Sequence, residues 1–105
     1  MSWVILVLAG FFEVGMALSL KESHGFSRLW PTALFLILGT ISFVLLSIAL
    51  RTLPVGTAYA VWTGIGAAGT AILGILLLDE PRDLARIAGI AMIVGGVVAL
   101  RLAGE

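Results

Sequence analysis

Four apolar runs, Trp3 to Leu20, Trp30 to Leu50, Val55 to Leu78 and Ile87 to Leu100, fill most of this chain. Only the short connections KESHGFSRL, RTLP and DEPRD part them. Crossing a hydrocarbon core takes about 20 apolar residues. The first three runs reach that length, and the fourth does once Leu84 and Ala85 are added, with Arg86 extending its charge toward the headgroups. In lipid every backbone polar group must be satisfied internally, and the alternating pattern of a membrane barrel is absent, so each run is predicted to be a helix. The expected fold is an all-α integral membrane protein: a single domain over residues 1–105, a four-helix bundle with spans near 3–20, 30–50, 55–78 and 84–101.

The rest of the composition agrees. Hydrophobic residues make up 61% of the chain and charged residues 11%, against about 25% charged in a water-soluble domain. With no cysteine, one histidine (His24) and zero net charge, thiol chemistry, a histidine metal cluster and a nucleic-acid surface are not expected. The first run lacks a basic start and a small-residue cleavage pattern, and is read as a retained helix. If the N-terminus lies on one side, Lys21, Arg28, Arg82 and Arg86 fall on the other, and Arg51 and Arg101 on the same side. Four against two is a weak orientation signal. It permits insertion in both directions, and so antiparallel pairing of identical chains, or a single weakly biased topology.

Within the first run Glu13 stands alone as an ionisable group, ten residues from Trp3 and seven from Leu20. An acidic side chain at that depth costs about 2.5–3.5 kcal/mol on insertion scales, so a functional site is the default reading. The structural alternative is a protonated Glu that hydrogen-bonds a neighbouring helix. Helical spacing surrounds Glu13 with Leu6, Ala9, Gly10, Met16, Ala17 and Leu20. Ala9, Gly10 and Ala17 are small, which leaves room beside the carboxylate for a helix or a ligand. Such a site can hold a proton or a cation, but not comfortably both, and exclusive occupancy is what antiport requires.

In the third run Tyr59, Trp62, Thr63 and Gly66 share a helical stripe that is expected to carry a phenol, an indole N–H and a hydroxyl into the bundle. Aromatic faces attract cations while the polar handles orient a carboxylate. Trp62 is too deep for an interfacial belt, a role that suits Trp3 and Trp30 better. Gly64, Gly66 and Gly69 follow, either as a hinge, with Gly64 and Gly66 at its centre, or for close packing. In the second run Ser42 can donate to Glu13 or to its own helix backbone. In the fourth, Ala91, Gly95 and Ala99 form two small-xxx-small steps, a pattern of helix association in lipid, and are read as a dimer contact.

The lone Glu in "AGFFEV", "LKESHGFSRLWP" after it, "LPVGTAYAVWTGIGAAG" through the third run and "DEP" before the fourth together resemble the small multidrug resistance transporters over nearly the whole chain. The resemblance implies an antiparallel dimer in the bacterial inner membrane, exporting cations in exchange for protons through a glutamate from each subunit. Gly10, Ala17, Ser42, Ala60 and Ala67 are most similar to the guanidinium-exporting branch. By position, Glu13 would bind proton or substrate, Ser42 and Trp62 would orient its carboxylate by hydrogen bonds, and Tyr59 would line and switch the pathway. Met16, Ala17, Gly10 and Thr63 are read as pocket lining. Met16 stands where that branch usually has Trp, and Arg101 where it has Lys.

The reading is a proton-coupled antiporter that exports guanidinium and small substituted guanidinium cations. The alternative is an exporter of hydrophobic quaternary ammonium and other drug cations, which would rely on aromatic and apolar contacts. A structural or regulatory subunit would have no need for Glu13. An enzyme is not expected, because no nucleophile, metal or cofactor motif accompanies the carboxylate.

Overall fold

The computed structural model describes residues 1–104. It contains four helices, α1 (Ser2–Glu22), α2 (Leu29–Ala49), α3 (Val55–Leu77) and α4 (Leu84–Ala103). Each is long and apolar enough to cross a membrane. The helices match the expected spans to within about a turn, and α4 does take in Leu84 and Ala85.

Local chemistry accounts for the breaks. After α1 the buried Ser23 hydroxyl donates to the Leu20 carbonyl (2.7 Å) and accepts from the Phe26 N–H (3.1 Å). The chain then turns through left-handed backbone at His24, Gly25 and Phe26, a conformation that only Gly25 adopts without a side-chain penalty. Pro31 lies in the first turn of α2, where a missing N–H leaves no helical bond unmade. Pro54 immediately precedes α3. Asp83 precedes α4 and pairs with Arg86 at 3.0 Å; both side chains are exposed, so the pair contributes little.

The helices do not close into the expected bundle. α1 is the middle element, packed on α2 along one side and on α3 along the other, while α2 and α3 meet through side chains such as Ser42, Phe43 and Trp62, and α4 lies mainly against α3, reaching α1 at Trp3. The molecule measures 42 × 34 × 17 Å. Backbone contacts run in the order α2–α1–α3–α4 with no return from α4 to α2, so the four helices form an open layer. In lipid no hydrophobic force draws an apolar helix toward its neighbours, and close packing and hydrogen bonds decide which faces meet.

The core is Leu6, Ala9, Leu46, Ala49, Ala58, Val61 and Trp62. These residues come from the first half of α1, the last half of α2 and the first half of α3, so the core occupies the end of the layer near the α2–α3 connection. Two polar contacts close that same end: the hydroxyls of Ser2 and Thr52 hydrogen-bond each other, and the Arg101 guanidinium lies 5.1 Å from the Trp3 ring centre. Toward the other end the core stops, and α1 and α3 leave a gap between them.

Candidate functional site

Glu13 sits where the core gives way to that gap. Its carboxylate lies directly on the backbone of Gly66 in α3, so closely that a Cβ at Gly66 would overlap it. Among the described residues its Oε1 is the one buried side-chain polar atom without a hydrogen bond. An unsatisfied buried oxygen of this kind normally costs about 1–3 kcal/mol, more if charged.

Beyond the carboxylate lies a cavity of about 450 Å³. One wall is the α1 face carrying Glu13, Met16, Ala17 and Lys21; the other is the α3 face carrying Thr63, Gly66, Ala67, Thr70, Ala71 and Gly74, with Leu78 and Glu80 below. Both sets recur at three and four residues, one stripe on each helix. The α3 stripe is small almost throughout, which is why the gap exists.

The expected hydrogen bonds to the carboxylate go elsewhere. Ser42 is fully buried; its hydroxyl donates to the Ala9 carbonyl at 2.7 Å and accepts from the Trp62 indole N–H at 2.9 Å. The physical reason is reach. The Ala9 carbonyl stands one turn before Glu13 and is the oxygen to which the Glu13 N–H is assigned in helical geometry. Ser42 and Trp62 therefore hold the backbone turn beneath Glu13, and in doing so tie α2, α1 and α3 together at one point. Phe43 stacks beside Trp62 at 5.3 Å.

The aromatic stripe is split. Trp62 and Gly66 turn inward, whereas Tyr59 is 58% exposed and Thr63 is exposed at the cavity edge. The Tyr59 ring lies 5.6 Å from that of Trp62 but outside the cavity wall, so the phenol expected inside the bundle faces outward. Ala60 is exposed as well.

The α3 glycines read as a hinge or as packing, Gly64, Gly66 and Gly69, each have close occupants, and α3 runs unbroken through them. A Cβ at Gly64 would meet Val97 of α4 at 2.7 Å, one at Gly69 would meet Val14 at 2.6 Å, and Gly66 is the seat of the carboxylate. Gly10, expected to line the pocket, is instead buried against Ile65, where an added Cβ would come within 2.6 Å. Ala91, Gly95 and Ala99 are exposed, and nothing lies within 4 Å of a Cβ at Gly95.

Sequence reasoning missed the Ala9 carbonyl, Gly39, Thr70, Ala71, Gly74, Lys21 and Glu80. Spacing from Glu13 and Gly66 is a usable signal for Lys21, Thr70 and Gly74. Gly39 is needed because Met16 rests on it, with the sulfur 2.9 Å from where a Cβ would stand. Glu80 lies in a connection, where periodicity says nothing.

The family profile described as Small Multidrug Resistance protein matches residues 1–93. Proteins named guanidinium exporter are similar over almost the full length of both chains. That of Yersinia pseudotuberculosis is 56% identical over 103 residues, covering 98% of this chain and 99% of the relative. That of Salmonella typhimurium is 54% identical over 105 residues, covering both chains completely. That of Citrobacter freundii is 53% identical over 102 residues, covering 97% of each.

Proposed function

Because the chain belongs to the small multidrug resistance family, we propose that it is a proton-coupled antiporter exporting guanidinium and small substituted guanidinium cations from the cytoplasm. It is a multi-pass membrane transporter rather than an enzyme. The observation that carries the reading is the Glu13 carboxylate, with one buried oxygen unpartnered at the head of the cavity.

A planar guanidinium offers parallel N–H donors, and a carboxylate accepts them in pairs through short, charge-assisted bonds. In a place that water reaches poorly, the carboxylate must be neutralised by something. A proton does this covalently and a cation by hydrogen bonds, and the same oxygens cannot serve both. Loading a cation on one side therefore expels a proton, and reloading the proton on the other expels the cation. The cavity is larger than a bare guanidinium needs, and the flexible Met16 beside Ala17 leaves room for an alkyl or aryl substituent.

The unit of transport is an antiparallel homodimer in the bacterial inner membrane, with one Glu13 from each chain. Two features support this: the weak four-to-two bias of the loop charges, and the outward faces left by an open layer, with Tyr59 on one and the Ala91, Gly95, Ala99 stripe on another. In that assembly Tyr59 lines the pathway across the dimer. Close packing of small residues on α3 lets that helix shift between the two open states.

The test is transport by purified protein in liposomes. An outward guanidinium gradient should drive protons inward, and Glu13→Gln, which keeps size but carries no exchangeable proton, should reduce this to the rate of protein-free vesicles while helix content is retained. Wild-type rates in Glu13→Gln would overturn the reading. Proton movement driven by tetraalkylammonium but not by guanidinium would replace it with the drug-cation alternative.

A further inference from the structure

Glu80 shares the Glu13 cavity, although it belongs to the connection between α3 and α4. Two contacts put it there. Asp79 takes a left-handed conformation (φ 59°) that turns the chain back, and the Glu80 N–H donates to the Gly74 carbonyl at 3.2 Å. The Glu80 carboxylate then folds onto Gly74, whose added Cβ would overlap it. Gly74 thus does for Glu80 what Gly66 does for Glu13. The two other acidic residues of the connection are placed differently: Asp83 is paired with Arg86, and Asp79 does not line the cavity.

The spacing decides what this second carboxylate can do. Gly66 and Gly74 are eight residues apart on one helix, so the two carboxylate seats are about 12 Å apart along its axis. One small cation cannot touch both at once. Coulomb energy falls with distance, so Glu80 acts about three times as strongly on a cation touching it at about 4 Å as on Glu13 at about 12 Å. Its main effect is on cations arriving at the mouth. Lys21, eight residues beyond Glu13 on α1, lines the same mouth from the opposite wall. Among the described residues neither Lys21 nor Glu80 is in an ion pair.

We propose that Glu80 is an outer, cation-gathering residue of this transporter, which concentrates guanidinium-type cations at the cavity mouth before they reach Glu13, and that Lys21 opposes it. This rests on the transport reading above.

The experiment measures initial guanidinium transport in zwitterionic phosphatidylcholine liposomes at about 0.01 M and about 1 M salt, where the Debye length is roughly 30 and 3 Å. Glu80→Gln should raise KM about three- to tenfold at low salt with kcat unchanged, and the difference should vanish at high salt. Glu80→Asp should keep the wild-type KM, and Lys21→Gln should lower it at low salt. An unchanged KM in Glu80→Gln at low salt, or a loss of kcat that persists at high salt and is shared by Glu80→Asp, would overturn the assignment while leaving guanidinium transport intact. Absence of guanidinium transport by the wild type would instead overturn the functional reading, and this inference with it.

Discussion

The three-helix body α1–α3 and the fourth helix are about equally long and equally able to cross a membrane, yet the structure uses them in opposite ways. The first three contribute every residue of the buried core, meet at the Ser42 junction and hold Glu13. α4 has no buried residue, leans on α3 through Val97 at Gly64, and turns its small-residue stripe outward. The difference teaches that hydrophobicity does not sort helices in lipid. Specific polar bonds and close glycine contacts make α1–α3 a body, and their scarcity on α4 leaves that helix at its edge.

The sharpest way to break this comparison is to spoil α4. Gly95→Leu adds bulk where nothing of the same chain is near, so it should leave the chain's own fold intact yet weaken association between copies by about 1–3 kcal/mol, roughly five- to 150-fold. Fluorescence transfer between labelled chains diluted in bilayers would measure this. Undiminished association would remove α4 from the dimer contact.

Ser42→Ala attacks the body instead. It removes both bonds of the junction and leaves the Trp62 N–H and the Ala9 carbonyl short of a partner, at a cost of about 1–2 kcal/mol. Denaturation in mixed detergent should show the loss, with association through α4 little changed. Ser42→Thr, which keeps the hydroxyl, should recover most of it. A Ser42→Ala protein as stable as the wild type would mean that the junction does not hold the three helices.

The smallest effect is expected at Met16, between the cavity and Gly39. Met16→Trp should narrow the space beside Glu13 and favour guanidinium over phenylguanidinium. One methylene-sized contact is worth about 0.8 kcal/mol, so the ratio of their initial rates should rise about fourfold. An unchanged ratio would show that residue 16 does not meet the substituent.

Much of the site was legible because its elements are local. Glu13 is conspicuous as a charge at mid-membrane depth, and Trp62 and Ser42 as polar groups at depths where such groups need partners. What those partners are was not legible. Ser42 bonds a main-chain oxygen, which no side-chain pattern announces, and Tyr59 faces outward although it shares a stripe with Trp62. The hydrophobic periodicity that identifies the buried face of a helix in water is lost when all faces are apolar.

The amino-acid sequence by itself determined the number of helices, their limits and the depth of the Glu13 carboxylate. Those properties depend only on the thickness of hydrocarbon and the need of each backbone segment to satisfy its own polar groups. Tertiary structure alone decided that α1 lies in the middle, that the layer stays open, that Gly66 and Gly74 seat carboxylates, and that Glu80 reaches the cavity of Glu13. These depend on which surfaces fit within a few tenths of an ångström and which donors find acceptors, and those are properties of pairs of helices that no single segment carries.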